Sequence, residues 1–263
     1  MTSSDRGESL KRSLALLWGQ PDEPTRGPKP GLSRERIVAA AIGIADAEGL
    51  AALSMRRIAA ALGVGAMSLY RYVPGKDELI DLMVDHVYGE EPMLDETGGW
   101  RERLERACRA EWAHYHRHPW LLHVPQGRPL LGPNSLRATE ATLRILDGTG
   151  LDGRELIDAI VTTSAWVAGL ARSSLEASQA ASETGVSDVD WWATQEPYLA
   201  TAMAGEQNPM LGKVAEDGGF DGPSDRSFEF GLQRILDGMQ ALIAARRSGG
   251  RGGDDEHRPV API

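Results

Sequence analysis

Residues 54–76 read SMRRIAAALGVGAMSLYRYVPGK, and this stretch decides the fold. Apolar residues at helical spacing, with Ser54 as the N-cap, predict a short helix that ends at Gly63 in a left-handed C-cap. A second helix is expected from about Ala66 to Val73, because Pro74 disfavours helical geometry in the residue before it. Two short helices joined by a glycine turn form the helix-turn-helix pattern, whose second helix can lie in the major groove of DNA.

The sequence around this motif resembles one known family in five segments that fall in order at the right spacing. They are residues 36–49, 53–59, 62–64, 68–73 and 75–79. The region 32–88 is similar to the N-terminal domain of the TetR (tetracycline-repressor) family of transcription factors. From Trp100 onward the chain resembles the tetracycline-repressor type of C-terminal domain more loosely.

The organisation expected of the chain is all-α. We expect a flexible N-terminal arm over 1–31, a three-helix helix-turn-helix DNA-binding domain over 32–88, a helical ligand-binding and dimerisation domain over 89–247, and a disordered tail over 248–263. In the second domain the apolar pattern predicts helices over about 100–118, 135–147, 153–182, 191–204 and 224–247, with irregular stretches at 119–133 and 208–223.

The arm allows two interpretations. Arg26 and Lys29 lie just before the first domain helix, so a basic arm there can reach the minor groove, as homeodomain arms do. The alternative is a solvated tail. A short helix over 9–18 is also compatible with the pattern, with Leu10, Leu14, Leu17 and Trp18 on one side.

The charge of the chain is unevenly distributed. The net charge of the 263 residues is −10, yet residues 26–76 hold eight Lys and Arg against three Asp and Glu. That segment therefore carries +5, while the 187 residues that follow carry −14. A basic module on an acidic body is suited to binding DNA through one end only, because phosphates repel the body.

The helix-turn-helix supplies the expected DNA contacts. Arg71 is the best candidate for reading sequence, because a guanidinium pairs bidentately with guanine. Ser68 can reach a base edge or a phosphate, and Ala66 and Met67 can touch a thymine methyl. The resemblance implies contact positions at Gly65, Ala66, Met67, Ser68, Tyr70, Arg71 and Tyr72, and phosphate contacts from Ser54, Arg56, Tyr70, Tyr72 and Lys76. The alternative for the two tyrosines is packing within the domain.

A single head buries too little surface for strong specificity, so a homodimer on a palindromic site of double-stranded DNA is expected, with recognition helices about 34 Å apart. The stripe Phe228, Leu232, Ile235, Met239 and Leu242 of the last helix and the helix 153–182 are the candidate partners. The resemblance implies a four-helix interface built from these two helices of each subunit. Ordinary packing within one chain is the alternative.

A small-molecule effector is expected in the second domain, where aromatic and histidine side chains could line a pocket. The candidates for ligand binding are Trp112, His116, Trp120, His123 and Trp166. His114 and His118 are spaced i, i+4 like a metal pair, but no third ligand follows at a recognisable spacing, so we expect no metal and no cofactor.

The function expected is a ligand-responsive transcription regulator, most simply a repressor that a small molecule releases from DNA. The alternative is a ligand-independent DNA-binding protein whose helical domain only dimerises or recruits a protein partner. No constellation typical of an enzyme occurs in the sequence. No apolar run approaches the roughly 20 residues of a membrane helix, and the N-terminus lacks a secretory signal. With one cysteine, Cys108, we expect a cytoplasmic protein without an intramolecular disulfide.

Overall fold

The computed structural model describes residues 3–19, 31–90, 97–125, 131–203, 208–219 and 225–249. This part of the chain is helical and contains no strand, so the predicted all-α class is confirmed. Two short 3₁₀ turns lie at Leu50–Ala52 and Pro119–His123. The helices are α1 Ser3–Trp18, α2 Arg34–Glu48, α3 Met55–Leu62, α4 Ala66–Leu69, α5 Lys76–Tyr88, α6 Trp100–Arg117, α7 Pro133–Leu146, α8 Gly153–Thr184, α9 Asp188–Met203, α10 Pro209–Glu216 and α11 Asp225–Gly249.

Helices α2 to α5 form the head. Ser33 caps α2 and Ser54 caps α3, each side chain accepting a hydrogen bond from the backbone N–H of the third residue of its helix, at 3.3 Å. Such caps satisfy amides that have no partner within the helix. Each of the four helices contributes a fully buried side chain to the core: Ile37, Ile58, Leu69 and Leu79.

The turn between α3 and α4 has the predicted geometry. Gly63 adopts φ 68° and ψ 29°, the left-handed C-cap expected from the sequence. The helix α4 is shorter than predicted, because it ends at Leu69 and residues 70–72 form a turn. Leu69 and Val73 are both fully buried, as their spacing indicates, so the shortening leaves the orientation of the exposed residues between them intact.

The prediction of a flexible arm is wrong for residues 3–18, which form α1 and pack along α5. The face turned inward is mixed: Ser13 is fully buried and Leu16 and Leu17 pack against the core, whereas Leu10 and Trp18 are more than half exposed. Besides these leucines, Ser9, Arg12 and Ser13 hold the helix through carboxylate partners on α5. Arg26 and Lys29 lie outside the described residues.

The body consists of α6 to α11. The buried residues of α11 are Phe228, Leu232, Leu236 and Ile243, so Leu236 and Ile243 take the places predicted for Ile235 and Leu242. The loop predicted over 208–223 is wrong in part, because α10 occupies Pro209–Glu216. Proline suits the first turn of a helix, where its missing N–H costs nothing. Of the predicted tail, residues 250–263 lie outside the described part of the chain.

Candidate DNA interface and effector cavity

The exposed surface of the helix-turn-helix carries the residues predicted to contact DNA. Met67 is 78% exposed and Tyr70 is 44% exposed, although both have large apolar surfaces. Ser54, Arg56, Gly65, Arg71 and Lys76 are exposed, and Ala66, Ser68 and Tyr72 are half-buried. The structure therefore brings all ten predicted residues to the surface of one motif. Of the two tyrosines, Tyr72 fits the alternative of packing within the domain better, because it packs partly against the core.

The two candidate arginines are available to DNA. Neither Arg56 nor Arg71 forms a hydrogen bond or ion pair with another described residue. Arg57 differs, since its guanidinium is paired with Glu48. Free guanidinium groups beside a short exposed helix are suited to phosphate contact and to base reading.

Lys76 begins α5 and also supports the head. Its Nζ donates to the carbonyl of Leu50, at 2.9 Å, in the 3₁₀ turn that precedes α3. An ammonium group has three donors, so this bond leaves two for a phosphate. The α5 N-terminus is capped by Gly75 without a side-chain hydrogen bond, which leaves amides beside Lys76 for the same anion.

The helix α5 belongs to the head and also to the body. Leu79 and Met83 are fully buried, and the side of α5 that carries Ile80, Val84 and Tyr88 lines a cavity of about 1130 Å³. Helices α6, α7 and α8 supply the other walls, with Val124, Pro125 and Leu131 from the segments flanking 126–130. The same helix that starts at the DNA surface is therefore one wall of this cavity.

The cavity is mostly apolar with scattered polar groups. Leu104 and Cys108 from α6 and Ile160 from α8 contribute apolar surface, and Asn134 and Ser164 contribute hydrogen-bonding groups. Its volume exceeds the range of about 300–1000 Å³ typical of small-molecule sites. Burial, together with the nearby charge of Glu111, raises the pKa of the Cys108 thiol to about 12, so this thiol is neutral and acts as apolar lining.

Asp85 joins α5 to the helix that forms the opposite wall. Its carboxylate accepts hydrogen bonds from the backbone N–H groups of Asn134 and Ser135, at 3.1 and 3.0 Å, in the first turn of α7. Asn134 Nδ2 in turn donates to the Asp85 carbonyl, at 3.0 Å. The α7 N-cap, Gly132, has no side chain, so a carboxylate from another helix performs the capping. Movement of α7 would therefore pull on α5.

The five residues predicted to bind ligand do not line this cavity. Trp112 and Trp166 both pack against Phe228, with ring centroids 4.6 and 5.2 Å from it, and anchor α11 against α6 and α8. His116 accompanies them, since its Nδ1 lies 2.9 Å from the Trp112 carbonyl and its Nε2 lies 3.3 Å from Ser174 Oγ. Aromatic composition alone could not separate a packing cluster from a pocket wall.

The other two predicted residues lie near the junction with the head. His123 is exposed, and Trp120 is buried with its indole Nε1 donating to Asp46 Oδ1 at 2.7 Å. His118 also faces carboxylates, because its Nδ1 lies 2.8 Å from Asp46 and its Nε2 lies 3.2 Å from Glu90. Among the described residues, no cluster of three potential ligands could hold a metal ion.

The residues that do line the cavity escaped sequence reasoning. They are aliphatic, small and hydroxyl side chains such as Val84, Ala138, Thr142 and Ser164, spread over four helices. Each looks like an ordinary core or surface position in its own helix. The lining also includes the acidic residues Asp81 and Glu111. Nothing in the sequence distinguishes these two carboxylates from charges on a solvated helix face.

An exposed helix-turn-helix, in a head whose last helix α5 also forms a wall of a large cavity, defines a DNA-binding regulator. Residues 37–83 match the bacterial regulatory proteins of the tetR family, and residues 91–243 match the tetracyclin repressor-like C-terminal domain. The chain belongs to the TetR family of transcription regulators, as the sequence predicts, and this family is not one of enzymes.

Relatives over nearly the full length support this assignment. The chain is 47% identical over 248 residues to the HTH-type transcriptional repressor DrrR1 of Streptomyces coeruleorubidus, covering 94% of this chain and 91% of that protein. Among solved structures it is similar to apo ActR of Streptomyces coelicolor, with 33% identity, a TM-score of 0.67, and coverage of 83% and 99% of the two chains. ActR in complex with actinorhodin is similar too, with 31% identity, a TM-score of 0.68, and coverage of 80% and 96%. No helix in the described part of the chain is long and apolar enough to cross a bilayer.

Proposed function

We propose that the protein is a homodimeric repressor that binds a palindromic operator and releases it when a small molecule occupies the cavity. The observation that carries this proposal is the double role of α5. Lys76 at its first turn lies beside the candidate phosphate contacts, and Ile80, Val84 and Tyr88 line the cavity within the next three turns. A ligand that prefers a different position of α5 would thereby change the position of the head.

The proposed DNA contacts are the ten residues at the surface of the motif. Arg71 reads a base edge, with Ala66, Met67 and Ser68 beside it in the major groove. Ser54, Arg56 and Lys76 hold phosphates and fix the register, together with Tyr70 and Tyr72, while Gly65 allows the backbone to approach the DNA closely.

A dimer is supported by apolar surface that the single chain leaves uncovered. On α9 and α10 the side chains of Trp191, Trp192, Tyr198 and Met210 are all at least half exposed, and α9 packs mainly on α10. Phe230 of α11 is 65% exposed. Large exposed apolar side chains grouped on neighbouring helices are typical of an interaction site, and a second copy covers them without requiring any other protein.

The relatives support the same proposal. DrrR1 is named a repressor, and ActR has been solved both apo and in complex with actinorhodin. The cavity here is larger than the usual small-molecule site. Two of its walls, α5 and α7, are joined through Asp85. The alternative of a ligand-independent regulator leaves this cavity without a role.

The test is fluorescence anisotropy of the protein on DNA from its own upstream region, against scrambled DNA, across a salt series. Specific binding with a stoichiometry of two chains per duplex, and a footprint with two-fold symmetry, is the expected result. Nonspecific binding only, or a stable monomer on the footprinted site, would contradict the proposal. A thermal-shift screen then separates the two alternatives, since a ligand that binds only the folded state raises the melting temperature.

A further inference from the structure

We infer that the effector cavity selects hydrophobic organic cations, meaning flat or bulky aromatic bodies that carry a positive charge. This inference rests on the proposed function, because it names the ligand class of the same cavity. It is carried by the sign of the charges that line the cavity and by the way each charge is held.

The charged residues of the described lining are three carboxylates, Asp77, Asp81 and Glu111, and one cation, Arg137. Asp77 and Asp81 lie one turn apart on α5, and Glu111 lies on α6. The rest of the lining is dominated by aliphatic side chains, with the rings of Tyr88 and Tyr115 among them. Aromatic faces and carboxylates in a mostly apolar space are the chemistry that attracts an organic cation.

Asp81 is the carboxylate whose environment argues most directly for a cation. It accepts a hydrogen bond from Ser13 of α1, and neither Asp81 nor Asp77 forms an ion pair with any described residue. Burial raises the pKa of the Asp81 carboxyl, and the neighbouring charges of Glu78 and Asp77 add to that rise against the Ser13 bond. A half-buried carboxylate near like charges gains stability when a positive group arrives.

The other two acidic residues of α5, Glu78 and Asp85, have partners that hold their carboxylates. Glu78 has Arg12 at 2.8 Å, and Asp85 has the first amides of α7. These two carboxylates are used in holding the helices together. Asp77 and Asp81 line the cavity instead, and Asp81 also accepts the Ser13 hydrogen bond that helps to attach α1.

Glu111 provides the opposite wall of the proposed cation site. Its carboxylate accepts a hydrogen bond from Ser164 Oγ at 3.2 Å and lies 3.5 Å from the Tyr115 hydroxyl. These two partners are neutral donors that orient the carboxylate. Arg137, the one cation of the described lining, lies on α7 with its guanidinium bonded to the Asn134 side chain.

The experiment uses two probes of nearly equal size and shape but opposite charge, tetraphenylphosphonium and tetraphenylborate. Isothermal titration calorimetry with the full chain, free of DNA, is expected to give at least tenfold tighter binding of tetraphenylphosphonium. Asp81→Asn and Glu111→Gln should each weaken that binding about three- to tenfold, and the double variant by more than tenfold. Glu140→Gln, an exposed carboxylate on α7 that pairs with Arg144, is the matched control and should leave binding unchanged.

Tighter binding of tetraphenylborate, or equal binding of tetraphenylphosphonium by all variants, would overturn the inference. Asp77→Asn, at an exposed position, replaces Asp81→Asn if circular dichroism shows that the latter misfolds. Operator anisotropy with the same probes separates this inference from the proposed function. Cation binding without operator release supports the ligand class and contradicts gating, whereas release by an anionic probe supports gating and contradicts the ligand class.

Discussion

Trp120 donates its indole N–H to the carboxylate of Asp46 over 2.7 Å, and through this bond the body holds the head at a second place besides α5. Asp46 lies near the end of α2, and Trp120 lies in the 3₁₀ turn that follows α6. His118 Nδ1 meets the same oxygen at 2.8 Å. Within the described residues, the continuous helix α5 and this polar junction both connect the head to the body.

Trp120→Phe removes the indole donor and also leaves a cavity, because phenyl is smaller than indole and Trp120 is fully buried. We expect the free energy of unfolding to fall by at least about 1.5–3 kcal/mol, the usual worth of a hydrogen bond to a charged group. Urea denaturation of the wild type and the variant measures it. Trp192→Phe, at an exposed position on α9, should change stability by less than about 0.5 kcal/mol. Equal effects of the two substitutions would contradict a stabilising role for the Trp120–Asp46 hydrogen bond.

Arg71→Ala should relax the sequence preference of the head, with a loss of about 1–3 kcal/mol on the operator and little on scrambled DNA. Lys76→Ala should weaken both DNAs alike and reduce the salt slope by about one. Anisotropy titrations at several salt concentrations distinguish these outcomes. Arg154→Ala is the control, because this arginine is exposed on α8 of the body and pairs with Asp158. An Arg71→Ala variant with unchanged discrimination would assign base reading to other residues.

Gly63→Ala tests the turn between α3 and α4. A Cβ at this glycine meets no atom within 4 Å, so the cost is the left-handed backbone, about 1–2 kcal/mol. Gly43→Ala offers a matched comparison inside α2, where a Cβ also meets nothing within 4 Å and the backbone is helical. That substitution should stabilise the chain by about 0.5–1 kcal/mol. Chemical denaturation should thus give opposite signs for the two glycines, and the same sign would refute the assigned geometry.

Arg12→Ala tests the attachment of α1. Burial alone would raise the pKa of the Glu78 carboxyl, but hydrogen bonds from Arg12 and others hold it below its ordinary value. Removing Arg12 leaves a carboxylate whose side chain is only 4% exposed without its cation, and we expect a loss of about 1–3 kcal/mol. Lys11→Ala removes the cation of an exposed pair with Glu8, which is worth at most about 0.5 kcal/mol. Limited proteolysis within residues 1–19 should accelerate only in the first variant.

Stability should fall in mild acid through His114. Burial lowers the pKa of this imidazole to about 4, against an unfolded value near 6.5, so the unfolded chain takes up a proton between those values and the folded chain does not. The stability contribution is complete above pH 6.5 and is lost as the pH falls towards 4, by at most about 3 kcal/mol. His114→Phe should flatten this dependence in denaturation curves between pH 7 and 4.5. The exposed His123→Phe should not, and a parallel response of the two variants would contradict the assignment.

The sequence predicts the head well because its signals are local. A capping serine, a left-handed glycine and the alternation of Leu69 and Val73 each act over a few residues. The resemblance to the TetR family adds the contact positions to what these signals provide.

The cavity and α1 could not be predicted, because neither depends on local pattern. The position of α1 depends on Ser13 and Arg12 bonding to Asp81 and Glu78 nearly seventy residues away, while Leu10 stays exposed. The cavity depends on which sides of four helices fail to fill the space between them. Trp112 and Trp166 pack against Phe228, more than sixty residues further along the chain, and no local pattern predicts that contact.

The continuity of α5 limits how this protein can exchange parts with its relatives. A recombination at the predicted boundary after residue 88 transfers Ile80, Asp81, Val84 and Tyr88 together with the DNA-reading surface. The donor's head would therefore bring a foreign wall to the cavity and a foreign residue opposite the first turn of α7. A single exchange of heads therefore changes both the DNA sequence that is read and the ligands that fit the cavity. The preference for DNA and the preference for ligand are inherited together.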